Sequence, residues 1–316
     1  MSSIVTGFVA HADQERHDTG PGHPERAERH RAIVERVRAS GLAAELDLVE
    51  ATTIDPARLG LVHSVAHVSA VERAIASGAR LLDDGDTRVS AGSWRAALLA
   101  AGGAVHAVDR VMSGTWTNAF VAARPPGHHA ERSRSMGFCA FNNVALAAAH
   151  LREAHGLERV AIVDFDVHHG NGTQEIFESD PNVYFASLHQ WPLYPGSGLA
   201  HERGTGAGEG TTRNCPLPPR SGDREWLATL EDVVIADLEE FAPQFVLVSA
   251  GYDAHRDDPL GNTELTTDAY ARMTRLLADF ARERCDSRMV LLLEGGYDIE
   301  ALAASVEASV RELRAG

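Results

Sequence analysis

The sequence predicts a doubly wound, mainly parallel α/β fold running as one domain over residues 1–316, and three observations carry that prediction. Short, continuously apolar runs recur along the chain, as strands buried on both faces require. Segments with helical patterning lie between them. Each run gives way to a cluster of His, Asp, Glu, Tyr or Gly, and the carboxyl ends of strands are where an open α/β sheet places its functional loops. With 316 residues, 44% of them hydrophobic, the chain can bury one large core, and no linker, repeat or low-complexity tract divides it.

In chain order, residues 94–99 (WRAALL) open a helical pattern. Residues 119–123 (AFVAA) read as a strand and run into Arg124-Pro125-Pro126-Gly127-His128-His129. Residues 159–163 (RVAIV) lead into Asp164-Phe165-Asp166-Val167-His168-His169-Gly170-Asn171-Gly172. Residues 183–186 end in Ser187-Leu188-His189, and residues 223–240 return to a helical pattern. Residues 245–248 end in Ser249-Ala250-Gly251-Tyr252-Asp253, and residues 289–292 in Leu293-Glu294-Gly295-Gly296-Tyr297. Side chains at i, i+2 and i+4 of a strand share a face, so Asp164, Asp166 and His168 are expected to project together. Two carboxylates and an imidazole on one face are costly unless a cation binds them.

With these motifs in this order, the chain resembles the zinc-dependent histone deacetylases, a family that includes the acetylpolyamine amidohydrolases. The resemblance runs from His23-Pro24-Glu25-Arg26 to Tyr297. Asn171, where class I members carry Asp, and the Leu293-Glu294-Gly295-Gly296-Tyr297 motif point to the class II or bacterial branch. The resemblance implies the arginase/deacetylase fold, with an eight-stranded sheet.

It also implies a metal held by Asp166, His168 and Asp253. Three protein ligands with an open position is the catalytic arrangement, whereas structural zinc sites are closed by four. This oxygen-rich set suits zinc and Fe(II) alike, and spacing does not choose between them. The resemblance implies one Zn2+ per chain. A binuclear arginase-like centre would need Asp at the fifth position of its Asp-x-His-x-Asp motif and an Asp-x-Asp later. Here Gly170 and Asp253-Ala254-His255 stand there, so both carboxylates for a second metal are missing.

A catalytic metal acidifies water, and an imidazole nearby takes the proton. The resemblance gives that role chiefly to His129 and a mainly electrostatic one to His128. It pairs His128 with Asp164 and His129 with Asn171, whose neutral amide biases His129 less toward imidazolium than Asp would. Tyr297 would stabilise negative charge on the substrate carbonyl oxygen. In Gly137-Phe138-Cys139, Phe138 matches one aromatic wall of a narrow acyl-lysine channel, Gly137 offers a backbone carbonyl beside it, and Cys139 is a further candidate lining residue. Tyr194 of Leu193-Tyr194-Pro195 replaces a Phe on the opposite wall. Leu260 stands where polyamine-specific relatives carry a Glu, which argues against a polyamine specialist, although Asp257 and Asp258 are near. Asp164, Asp166, His168, Ser187 and Leu188 match a structural potassium (K+) site, and Phe177, Asp180 and Val183 a second one.

The formal net charge of −16 disfavours nucleic acid as a partner and suits cationic acylated amines. All 29 basic residues are Arg, which points to a GC-rich bacterial genome. Cys139, Cys215 and Cys285 form no CxxC pair, as expected of a reduced compartment. No transmembrane-length apolar run or signal-like N-terminus occurs, so no membrane partner and a cytoplasmic location are expected. Nothing in the sequence identifies an oligomeric interface. His11, His17, His23 and His30 read as solvated or rim residues, residues 204–210 as a flexible loop, and Glu25 and Arg26 as candidates for the rear of the site. The reading is thus a deacetylase-type amidohydrolase acting on acetyl-lysine-like amines. Acetylpolyamine or small-metabolite deacylation and a non-catalytic acyl-lysine binding protein are the alternatives.

Overall fold

The computed structural model describes residues 4–83 and 85–315. Eight strands form one sheet: β1 (Thr6–Ala10), β2 (Asp47–Glu50), β3 (Asn118–Val121), β4 (Val160–Asp164), β5 (Val183–Gln190), β6 (Thr212–Leu217), β7 (Val246–Ala250) and β8 (Met289–Leu293). Their spatial order is β2-β1-β3-β8-β7-β4-β5-β6, and every pairing is parallel. The predicted sheet is therefore present, and it is wholly parallel.

Strand alternation divides the core between two faces. Phe120, Ala161, Val163 and Val248 point into one layer, and Ala119, Val121, Ile162 and Leu247 into the other. The first layer is closed by α1 (Ala27–Ala39) together with two long helices near the C-terminus, Thr267–Arg284 and Ile299–Ala315. The second is closed by α2 (Val65–Ala76), α3 (Ser93–Met112) and α4 (Asn143–His155). The helical pattern at 223–240 is two short helices, Asp223–Thr229 and Ala236–Phe241, joined by a π-helical turn at Leu230–Ile235. Residues 204–210 do not hang free. Thr205 donates its N–H to the Glu178 carbonyl, and a Cβ on Gly204 would lie 2.1 Å from the Gly208 carbonyl oxygen.

The topology determines where chemistry gathers. β3, β8, β7, β4 and β5 are contiguous in the sheet. These are the five strands followed or ended by the motifs read from the sequence. Parallel pairing points all five carboxyl ends to the same edge, so segments as far apart in sequence as Val121 and Leu293 are delivered to one place.

Candidate active site

β4 ends at Asp164, so Asp166 and His168 lie in the loop beyond it rather than on the strand. The two-residue alternation foresaw the convergence, but hydrogen bonds in the loop produce it. Phe165 N–H still reaches the Ser249 carbonyl of β7. The Asp166 N–H donates to Asp164 Oδ1 at 3.0 Å, and the His168 N–H to Asp166 Oδ1 at 2.9 Å. Val167 is braced on both sides: its N–H donates to Asp253 Oδ1 at 2.9 Å, and its carbonyl accepts from Gln190 N–H.

The result is a buried triad. His168 Nδ1 lies 3.0 Å from Asp166 Oδ1 and 3.1 Å from Asp253 Oδ2. One ligand atom from each of Asp166, His168 and Asp253 falls within 4.8 Å of the others. Both carboxylates are fully buried, and glycines make the room for them. A Cβ on Gly251 would lie 2.1 Å from Asp166 Oδ2, and one on Gly295 would lie 2.0 Å from Asp253 Oδ2. Burial alone would depress the His168 imidazole, but Asp166 and Asp253 outweigh it and raise it to about 10. The pocket demands positive charge. Its oxygen-oxygen-nitrogen donor set, converging and deprotonatable, fits a divalent cation such as Zn2+ or Fe2+. Among the described residues one other group could hold a metal, Asp109, His150 and His155 on α3 and α4. There Arg58 donates to His150 Nδ1 at 3.0 Å, and His150 Nε2 lies 2.8 Å from Asp109 Oδ1. That group ties two helices together.

His128 and His129 follow β3, with ring centroids 4.0 Å apart. His128 Nδ1 donates to Asp164 Oδ2 at 2.9 Å, and His129 Nδ1 meets Asn171 Oδ1 at 2.8 Å, the pairing expected from the sequence. The two imidazoles are driven apart electrostatically. For His128, burial is outweighed by Asp164 and then Asp166, which hold it well above the usual histidine value. For His129, burial comes first, the charges of His128 and His168 add to it, and the value falls well below the usual one. The surroundings thus favour the protonated form of His128 and the neutral form of His129.

Tyr297 follows β8 and is buried, with its ring edge-on to Phe138 at 5.9 Å and the Arg29 guanidinium 4.9 Å from its centroid. Its N–H donates to Asp258 Oδ2 at 2.6 Å. Burial, then the Asp253 carboxylate, raise the phenol well above its usual range, so it remains a donor. Asp258 is consequently buried and occupied, not a rim charge; Asp257 alone of that pair is exposed.

A single cleft of about 260 Å³ is lined by His129, His168 and Tyr297 together with Gly137, Phe138, Tyr194 and Leu260. Leu193 and Asp86 complete it. Nothing in the sequence around Asp86, a loop residue between α2 and α3, signalled its place there. Gly137 and Phe138 both have positive φ, 56° and 69°. A Cβ on Gly137 would sit 2.3 Å from His129 Cδ2, so only glycine lets this wall lie against the imidazole. Tyr194 is 40% exposed and stands edge-on to His129 at 5.1 Å. Cys139 is fully buried behind the wall, its Sγ 3.2 Å from the Gly137 carbonyl, and does not line the cleft. The strand register sets Ser187 beside Asp164, and Asp164, Asp166, His168, Ser187 and Leu188 are all buried. At the second group matched to potassium, the Phe177 carbonyl accepts the Asp180 N–H and the Asp180 carboxylate pairs with Arg152.

The rear of the site corrects the reading of the N-terminal histidines. His17, His23 and His30 are buried, not solvated. Glu25, fully buried, accepts from Arg124 Nε at 2.7 Å and Arg29 Nη1 at 3.2 Å, and His17 Nε2 lies 3.3 Å away. Arg29 then donates to the carbonyls of Glu294 and Gly296. Arg26 is exposed and takes no part. Glu294 also emerges: its carboxylate accepts from Gly127 N–H at 2.6 Å, His128 N–H at 3.1 Å and Ser249 Oγ at 3.1 Å.

Comparison with known proteins agrees. The family model for the histone deacetylase domain matches residues 23–313. A probable deacetylase of Archaeoglobus fulgidus is 41% identical over 94% of this chain and 82% of its own length. The human polyamine deacetylase HDAC10 is 38% identical over 92% of this chain, which spans 44% of that protein. The crystal structure of the HDA15 HD domain superposes with a TM-score of 0.92 at 37% identity, covering 99% of this chain and 88% of that one.

Proposed function

The chain belongs to the histone deacetylase family, and on that premise we propose that it is a metal-dependent amidohydrolase removing acetyl or related acyl groups from lysine-like amines. The observation that carries this reading is the single cleft in which the neutral imidazole of His129, the Tyr297 phenol and the His168 corner of the metal triad face the same space. Asp166, His168 and Asp253 would hold one Zn2+, or Fe2+ with the same donors, and the bound ion would supply Lewis-acid chemistry toward the acyl carbonyl and water.

His129 accepts the proton of the attacking water on Nε2 and returns it to the departing amine. Its depressed basicity keeps it neutral and ready to accept. His128, held cationic by Asp164, stabilises the negative charge that builds during attack. Tyr297 donates its hydroxyl proton in a hydrogen bond to the carbonyl oxygen. Phe138 and Tyr194 flank an apolar acyl-lysine stem, and Gly137 and Leu260 complete the walls. Asp164, Asp166, His168, Ser187 and Leu188 are assigned to a structural potassium ion. The same reading treats residues 1–316 as one cytoplasmic catalytic domain with no nucleic-acid or membrane partner. Among the described residues, no helix is long and apolar enough to cross a membrane.

The test is acetate release from acetyl-lysine peptides before and after chelation, then with zinc restored. Turnover that survives exhaustive chelation would sink the metal-dependent reading. A non-catalytic acyl-lysine binding protein is separated by Tyr297→Phe, which leaves the triad intact. Loss of one oxyanion donor should lower kcat about 100- to 1000-fold at unchanged metal content. If wild type turns over no acylated amine, while both proteins bind acyl-lysine equally, the binding-protein reading wins. A polyamine preference is the second enzymatic reading, favoured by the relative named polyamine deacetylase and by Asp86 at the cleft.

A further inference from the structure

Asn171 poses a problem that an aspartate would not. A carboxylate accepts a hydrogen bond from the imidazole with either oxygen, whereas an amide accepts with one end and donates with the other. Turned by half, Asn171 would present its NH2 to His129. Nδ1 would then have to accept, the ring proton would move to Nε2, and no lone pair would be left there for the water's proton.

We propose that Glu131 fixes the amide, and through it the tautomer of His129. Glu131 Oε1 accepts from Asn171 Nδ2 at 2.9 Å. A carboxylate cannot return that bond as donor, so Nδ2 points outward and Oδ1 faces His129 Nδ1. The other acceptors near Nδ2 are poor, Met136 Sδ at 3.3 Å and the His129 carbonyl at 3.5 Å. Glu131 is itself held from both sides. Its N–H donates to the Arg134 carbonyl at 2.9 Å, and its carbonyl accepts from His63 Nδ1 at 2.9 Å. It borders an outward-facing cavity of about 290 Å³ that also touches Asn171, Arg134 and Met136, on the side of Asn171 away from the substrate cleft. The amide between Glu131 and His129 orients the ring without passing a proton on, so Glu131 is a positioning residue and His129 the catalytic one. The inference rests on His129 being the base of the proposed deacylation.

The experiment is a double-mutant cycle on the metal-loaded enzyme, paired with a spectroscopic readout. Glu131→Ala should lower kcat about 10- to 100-fold with KM little changed, because part of the enzyme carries the wrong tautomer. Glu131→Gln keeps an accepting oxygen and should recover most of that loss. In an Asn171→Asp background there is no amide to orient, and the cost of Glu131→Ala should shrink to within about threefold. An equal cost in both backgrounds would mean that Glu131 only braces its loop, and the proposal fails. Independently of turnover, ¹⁵N-histidine NMR should show His129 as the Nδ1–H tautomer in the wild type and as a mixture in Glu131→Ala. Nδ1–H in both proteins overturns the proposal. A tautomer shift in a protein that hydrolyses no acylated amine would leave the relay standing and remove the deacylase reading instead.

Discussion

Leu260 governs how the mouth of the cleft treats a second charge on the substrate. It is half-buried, its N–H tied to Asp258 Oδ1 at 2.9 Å, and its side chain gives a distal ammonium no partner. Asp258 cannot substitute, because the Tyr297 and Asp298 N–H groups already occupy its carboxylate. Leu260→Glu should therefore raise kcat/KM for acetylspermidine relative to an acetyl-lysine peptide by about 10- to 100-fold, as a charge-assisted pair of roughly 1–3 kcal/mol allows. A wild type that already prefers acetylspermidine would shift recognition to Asp86 or Asp257. Residues of this kind were legible in unequal measure. His128, His129, Asp253 and Tyr297 announce themselves by type and by the strand before them. Asp86 and Glu131 sit in loops without periodicity, and their places, Asp86 at the cleft with Tyr194 and Glu131 against Asn171, are ones that no local pattern encodes.

The strand ends are the elements that make the site, and their glycines matter to it no less than the ligands do. Gly295 N–H donates to Asp166 Oδ2 at 2.8 Å while its missing Cβ leaves space for the Asp253 carboxylate. Gly295→Ala would put a methyl 2.0 Å from Asp253 Oδ2 and 2.6 Å from Asp166 Oδ2, with both carboxylates fixed by backbone N–H groups. The expected outcome is zinc affinity weakened at least about tenfold, with near-native far-ultraviolet circular dichroism, because the displaced atoms are the proposed ligands rather than core. Zinc titration by competition with a chromophoric chelator measures this; an unchanged affinity would show that the cradle yields. The apolar runs made β3, β4, β5, β7 and β8 readable. The ligand loop after β4 was only half readable. Strand periodicity placed Asp166 and His168 on one face, whereas turns closed by Asp164 Oδ1 and Asp166 Oδ1 bring them together.

At the scale of the whole molecule, polar residues hold the separate parts of the fold in register, and His63 is one such joint. It stands just before α2, its Nδ1 donates to the Glu131 carbonyl at 2.9 Å, and its Nε2 accepts from the Asn142 N–H at 2.9 Å. Asn142 caps α4, so one imidazole links a helix start, a helix cap and the loop that follows His128 and His129. Both ring nitrogens are used in the neutral form, and a protonated ring would lose the Asn142 bond. Burial first, then the charge of His67, depress His63 to about 3. The sign follows from linkage. The folded value lies below the unfolded value of about 6.5, so above pH 6.5 the stabilising contribution is complete, and it is lost as pH falls from there toward 3. Per pH unit in that window the loss approaches about 1.4 kcal/mol for one proton. His128, whose raised value acts above 6.5, leaves this window untouched. Glutamine can supply one donor and one acceptor at the same place without titrating. His63→Gln should thus be less stable than wild type at pH 7, and the gap should close by about 2 kcal/mol in all as the pH is lowered to 5, more steeply below pH 6 than above it. Urea denaturation of both proteins at pH 7, 6 and 5 measures the gap; one that stays constant would mean that His63 is not held neutral by its surroundings and that the joint does not depend on its tautomer.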